Sequence, residues 1–212
     1  MQPKTLDHVA LWVSDRQAIA DALAAGFGMH VIERTDRFTL LGADARRFKL
    51  TLFDAEGPRA PGALKHVALR VNSLPAGPKE SALPDGLEVV LVEAPTEVDY
   101  DLDHVALWSA DPEAAAAGWE AFGFSRAGET RLEVGGAFLE LHEGEPAADG
   151  EPLLNHLAVL VDSVEEHVAE AADLGLDVTD VVDAPNTLAL FLHGPDGVKL
   201  ELVEHKPSFS LR

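Results

Sequence analysis

The chain has no cysteine among its 212 residues. That excludes disulfides, thiolate nucleophiles and thiolate metal ligands, and makes a cytoplasmic location the expectation. Bases are scarce, with 16 Lys and Arg against 37 Asp and Glu and a net charge of −21. The imbalance is concentrated in residues 101–212, which carry 23 acids and only 5 bases. Such a field repels phosphate backbones and anionic lipid, which excludes nucleic-acid and membrane partners and disfavours polyanionic substrates such as a CoA ester. No run of about 18 apolar residues is present, so no membrane span is expected. No basic-then-apolar leader opens the chain, so no export signal is expected. What remains is a globular composition, 47 % hydrophobic, of a size for one large domain or two of about 100 residues.

What the chain does have is a repeat. Residues 6–12 read LDHVALW and residues 102–108 read LDHVALW again, with looser copies LKHVALR at 64–70 and LNHLAVL at 154–160. Four modules are therefore expected, starting near Leu6, Leu64, Leu102 and Leu154. Each carries a first-strand histidine: His8, His66, His104 and His156.

The fourth module has the clearest punctuation. A strand over Asn155–Asp162 precedes the capping box of Ser163 and Glu166 and a helix from Val164 to Leu174, stopped by Gly175. Strands over Val178–Val182, Leu188–His193 and Val198–Glu204 follow, divided by the turns 184–186 and 194–197. The order is βαβββ. In the third module Asp111 and Pro112 open a helix reaching about Ala121, and Gly135-Gly136 joins two strands ending at Val134 and starting at Ala137. The first module begins alike, with a helix near Arg16–Ala25. The second is truncated, because Pro75, Pro78 and Pro84 leave no room for a full helix. Connectors at 55–61, 94–100 and 144–152 read as linkers. The middle one suggests a division into 1–97 and 98–212.

Strand alternation sorts the side chains. His156, Ala158 and Leu160 share one face, and Glu201, Phe191 and His193 fall on that same side of their strands. In the third module His104, Ala106 and Trp108 share a face with Phe138, Glu140 and His142. Alignment of the last strands sets Thr51 and Val90 where Glu140 and Glu201 stand. Asp7, Asp103 and His167 read as surface residues, and Tyr100 as a linker residue without a role.

The βαβββ modules, the first-strand histidine and the GPDGVKLEL ending resemble the vicinal oxygen chelate superfamily (glyoxalase, bleomycin resistance and extradiol dioxygenase). The resemblance implies an α+β fold in which four modules pair into two half-open mixed β-barrels. It implies a divalent metal ion (Fe, Mn, Ni, Co or Zn) held by a first-strand histidine and a last-strand carboxylate from each paired module. Pairing of the third module with the fourth is the expectation, with ligands His104, Glu140, His156 and Glu201 and a degenerate pair of first and second modules. The other pairing gives two sets: His8, His156, Glu201 and His66, His104, Glu140. Glu140 and Glu201 are the catalytic candidates, and Trp108, Phe138, His142, Phe191 and His193 the pocket candidates.

The resemblance further implies a small-molecule substrate, in a monomer or homodimer. Two imidazoles and two carboxylates favour a glyoxalase-like isomerase, lyase or epimerase. An extradiol ring-cleaving dioxygenase is the alternative, weakened because Phe191 stands ten before Glu201 and no histidine lies in 178–187. A non-catalytic binding protein of the antibiotic-resistance kind is the third.

Overall fold

A computed structural model describes residues 1–42, 48–57, 59–76, 79–146 and 151–209. The first module contains β1 (Thr5–Val13), α1 (Arg16–Phe27), β2 (His30–Arg34), β3 (Phe38–Gly42) and β4 (Lys49–Asp54). The second contains β5 (Leu64–Val71), β6 (Glu80–Ala82) and β7 (Glu88–Glu93), with no α-helix among its described residues. The third has β8 (Asp101–Ser109), α2 (Pro112–Ala121), β9 (Ser125–Arg126), β10 (Arg131–Val134) and β11 (Ala137–Glu143). The fourth has β12 (Leu154–Leu160), α3 (Val164–Leu174), β13 (Val178–Asp183), β14 (Thr187–His193) and β15 (Lys199–His205).

The helices start where side chains can satisfy free backbone N–H groups. Asp15 accepts from the N–H of Ala18, Asp111 from Ala114 and Ser163 from Glu166. Gly28 and Gly175 end α1 and α3 in the left-handed conformation.

The strands form two mixed sheets. One runs β13-β14-β15-β12-β1-β4-β3-β2, and the other β6-β7-β5-β8-β11-β10-β9. The first module therefore shares a sheet with the fourth, and the second with the third. This corrects the expected pairing of third with fourth: β12 lies antiparallel to β1, and β8 antiparallel to β5. The 94–100 linker consequently does not separate two sheets, since each sheet draws strands from both sides of it.

Both central pairs carry the same irregularity. Leu6 pairs with Val159 and His8 with Ala158, so Asp7 is an extra residue on β1. Ala10 pairs with His156 and Leu11 with Leu154, so Asn155 is extra on β12. Lys65 and Asp103 are extra on β5 and β8 by the same reading. Each first-strand histidine is thus preceded by a β-bulge, which re-aims the residue before it. Beyond the bulges alternation resumes. Val9, Leu11, Leu157 and Val159 turn to the opposite face and are fully buried in one core spanning both sheets. His167 is 6 % exposed and belongs to the interior rather than the surface, and Tyr100 is buried in the core.

The sheets lean on each other through close backbone contacts. A Cβ on Gly118 of α2 would stand 2.8 Å from Pro195, and one on Gly135 would stand 2.1 Å from the carbonyl oxygen of Lys4. Gly135 also has φ of +58°. Gly135→Ala is expected to cost roughly 2–5 kcal/mol, from the left-handed backbone and the overpacking together. Urea unfolding measures it, and an unchanged midpoint would contradict this packing.

Candidate metal centre

The concave face of the larger sheet collects His8 from β1, His156 from β12 and Glu201 from β15. The His8 and His156 Nε2 atoms lie 3.1 Å apart. Glu201 Oε2 lies 3.2 Å from the first and 2.8 Å from the second. Cross-strand register produces this: Ala10 opposes His156, Ala158 opposes His8, and Glu201 stands beside Ala158. Alanine at those places leaves room for the imidazoles of the neighbouring strand.

The bulge residues fix the rings. Asp7 Oδ2 accepts from His8 Nδ1 at 2.9 Å, and Asn155 Oδ1 from His156 Nδ1 at 3.0 Å. With both Nδ1 atoms donating outward, both Nε2 atoms present lone pairs inward, to a carboxylate that also has only lone pairs. Three acceptors facing one point need a cation or a proton between them. Donors about 2.1 Å from one ion and at right angles lie about 3.0 Å apart, the spacing seen here. The three residues can hold a metal ion. The fourth register position, beside Ala10 on β4, is Thr51.

Electrostatics agree. Burial alone would raise the Glu201 carboxyl, but the two imidazoles beside it, His8 donating from Nε2, hold it down to about 2. Burial would lower His8, yet Asp7 and Glu201 raise it to about 9. Burial lowers His156, against the pull of Glu201. One proton on His8 thus takes the place of a cation. Asp7 was expected at the surface; it is instead buried, with Lys49 Nζ at 2.9 Å and His205 Nε2 at 3.3 Å from Oδ1. Burial would raise its carboxyl, but His205, His8 and Lys49 keep it well below the usual carboxylate value.

A cleft of about 360 Å³ opens over these groups. Its walls are largely apolar, with Phe38, Phe53, Phe191 and Phe209 among the lining residues, and Lys49 and His205 also line it. His205 stacks on Phe209 with ring centroids 3.7 Å apart. Of the pocket candidates only Phe191 lies here. His193 is half-exposed and paired with Asp177.

The smaller sheet gathers the remaining candidates. His66 Nε2 lies 3.0 Å from His104 Nε2, and Glu140 Oε2 lies 3.4 Å from the latter. Asp103, also buried against expectation, accepts from His104 Nδ1 at 2.8 Å and pairs with Arg70. Here His66 can donate to His104, and Arg131 stands 3.4 Å from Glu140 Oε1, so no three acceptors converge unopposed. Burial and the neighbouring charges lower His66 to about 4. Trp108, Phe138 and His142 flank this second cluster. The four ligands expected together are therefore divided between two sheets, His156 and Glu201 in one and His104 and Glu140 in the other.

Asp7, Asn155, Lys49 and His205 were not singled out from sequence as site residues. Asp7 had a signal, being repeated as Asp103 within the identical heptapeptides, and Lys49 shares parity with Thr51. Nothing in the sequence marks His205.

Comparison with known proteins follows this geometry. The profile of the Glyoxalase/Bleomycin resistance protein/Dioxygenase superfamily matches residues 5–76 and 101–202. No curated protein matches the chain by sequence. Among solved structures, maize (Zea mays) glyoxalase I is similar at 18 % identity and a TM-score of 0.73, over 94 % of this chain and 92 % of that one. A Bacillus subtilis protein provisionally named a dioxygenase has 17 % identity and a TM-score of 0.73, over 97 % and 86 %. CppA of Streptococcus pneumoniae has 13 % identity and a TM-score of 0.65, over 96 % and 100 %. At these identities the likeness is one of fold.

The titrations set a pH optimum of stability for the metal-free protein. His66 is lowered from 6.5 to about 4, so the unfolded chain binds the extra proton and stability rises with pH across that window. His8 is raised from 6.5 to about 9, so its contribution is complete below 6.5 and lost as pH rises through 9. After chelator treatment, unfolding free energy should peak near pH 6.5 and fall toward 9. His8→Gln should abolish the fall while leaving the acid limb, as denaturant titrations across pH would show.

Proposed function

Because the chain belongs to the glyoxalase/bleomycin resistance protein/dioxygenase superfamily, we propose that it is a mononuclear metal enzyme acting on two adjacent oxygens of a small, largely apolar substrate, by extradiol-type oxygen chemistry. The observation that carries this reading is the donor set: two imidazoles and one carboxylate, with Thr51 where a second carboxylate would stand. That set suits Fe²⁺ or Mn²⁺, as in non-haem oxygenases. The isomerase reading depended on Glu140 joining the same ion, and Glu140 stands in the other sheet beside Arg131.

A divalent ion held there supplies a Lewis acid to neighbouring substrate oxygens. The chain's own residues do the rest. Asp7 and Asn155 keep both imidazole Nε2 atoms aimed inward. Phe38, Phe53 and Phe191 supply flat apolar walls that orient a ring and exclude water. Asp7, Lys49 and His205 form a buried polar end of the cleft, where a proton released by the substrate can be held. The scarcity of cations along the cleft fits a neutral or singly charged substrate rather than a thioester of a large anionic carrier.

Purified protein should contain or take up one equivalent of Fe²⁺ or Mn²⁺. Asp7→Asn should weaken the metal affinity by roughly 10–100-fold. The loaded protein should consume oxygen with simple catechols, and Glu201→Gln and His156→Ala should lose both metal and oxygen uptake. Metal retention with diol binding but no oxygen uptake would favour the isomerase class. Equal metal in wild type and both variants would rule out this site.

A further inference from the structure

One charged group lining the cleft is not used by the chemistry proposed above: Glu33 of β2. A bulge brings it there. Val31 pairs with Leu41 and Glu33 with Leu40, so Ile32 is an extra residue on β2. Leu41 is buried in the core while Leu40 lines the cleft, so Glu33 falls on the cleft side with Leu40. Leu40 in turn opposes Thr51, which stands beside Ala10. Glu33 is thus two strand spacings from Thr51, roughly 10 Å along the sheet. Phe38, two residues before Leu40 on the same face, is its diagonal neighbour, and Phe53 opposes Phe38.

Glu33 is half-buried on this apolar wall. Among the described residues no base pairs with it. Lys49 pairs with Asp7, Arg16 with Asp54, and Arg34 bonds to Gln17. A carboxylate drawn partly out of water calls for a counter-charge. The aromatic groups around it favour the same sign. Phe38 and Phe53 meet edge to face with centroids 6.2 Å apart, and the face of such a ring attracts a cation. One ring of the cleft already serves in this way, with Lys199 Nζ 4.4 Å from the Phe191 centroid. The net charge of −21 adds a field that draws cations and repels anions.

We propose that Glu33 is the specificity-determining residue of the cleft, and that it selects substrates carrying a protonated amine about one ring's length beyond their two adjacent oxygens. The inference rests on the reading of the cleft as a chelating substrate site. The ammonium donates to the Glu33 carboxylate and lies against Phe38 and Phe53, while the oxygens point toward His8, His156 and Glu201. The Glu33 side chain spans part of the distance along the sheet, which leaves room for a ring and a short chain.

Calorimetric titration of the full-length protein tests it in two arms. On chelator-treated protein, phenethylamine should bind at least about tenfold more tightly than phenethyl alcohol, the scale of one charge-assisted hydrogen bond. On protein loaded with one equivalent of Mn²⁺, dopamine should exceed 4-ethylcatechol by a similar factor. Glu33→Gln should bring each amine within about twofold of its neutral analogue, whereas Glu33→Asp, which keeps the charge, should retain most of the preference. Equal binding of dopamine and 4-ethylcatechol to the loaded wild type would overturn the proposal and leave the chelation reading standing. A preference that survives Glu33→Gln would also overturn it, since the net charge alone would then account for it. An amine preference lost with Glu33→Gln, but with neither catechol gaining from the metal, would support the role of Glu33 and remove the chelation reading. Failure of all four probes to bind would overturn both.

Discussion

The antiparallel register between β1 and β12 is the constraint on which the candidate site rests. Ala10 faces His156 and Ala158 faces His8, so each imidazole lies over a methyl group and the two Nε2 atoms meet. A slip of one residue would turn His8 and His156 toward the core and Val9 and Leu157 toward the cleft. The core forbids this, because Val9, Leu11, Leu157 and Val159 are fully buried beneath the sheet. Ordinary packing of aliphatic side chains on one face thus sets the geometry of polar groups on the other.

The bulge adds the second half of the arrangement. A regular strand would place Asp7 on the face opposite His8. The inserted residue lets both point into the cup, and the carboxylate then fixes the imidazole tautomer. The same device recurs four times with different residues, and the residue chosen decides the chemistry. Asp7 and Asn155 turn lone pairs inward. Asp103 does so for His104, but Lys65 contributes a positive charge to that cup and Arg131 neutralises Glu140. One backbone framework therefore supports two different electrostatic environments.

Much of this was legible in the sequence, because local signals are strong where they concern one module. The capping box at Ser163, the proline at the start of α2 and the glycine that stops α3 mark element boundaries. Two-residue periodicity placed His156 and Glu201 on one face, and alignment of last strands put Thr51 and Val90 at the carboxylate positions, as the strand registers have them. The pairing of modules was not legible. Which first strands meet is decided by contacts spread over both sheets, such as Lys4 against Gly135 and Gly118 against Pro195, and no short motif encodes these. The burial of Asp7 and Asp103 escaped for a related reason: a bulge is a property of two paired strands, and alternation along one strand assigns the extra residue to the wrong face. His205 entered the cleft because the chain beyond β15 folds back, with Lys206 N–H bonding to Asn186 O and Phe209 stacking on the imidazole.

Charge in the first cup would couple proton, ion and substrate on the proposed reading. Asp7 and Glu201 are buried carboxylates held in the ionised form, and Lys49 offsets one of them. A proton on His8 offsets the other, so the metal-free cup is close to neutral. Were His8, His156 and Glu201 to hold a divalent ion, His8 would have to give up that proton to ligate, and the cup would carry one positive charge in an apolar surrounding. On the proposed reading, a substrate that ionised one of its two oxygens and passed the proton through the Asp7, Lys49 and His205 end to water would return the cup to neutrality. A neutral two-oxygen ligand would leave the excess charge unmatched, and a dianion would overshoot it. On the proposed reading the charge count would favour a ligand that loses a single proton on binding, and the apolar walls of the cleft would make that preference sharper than it would be in water.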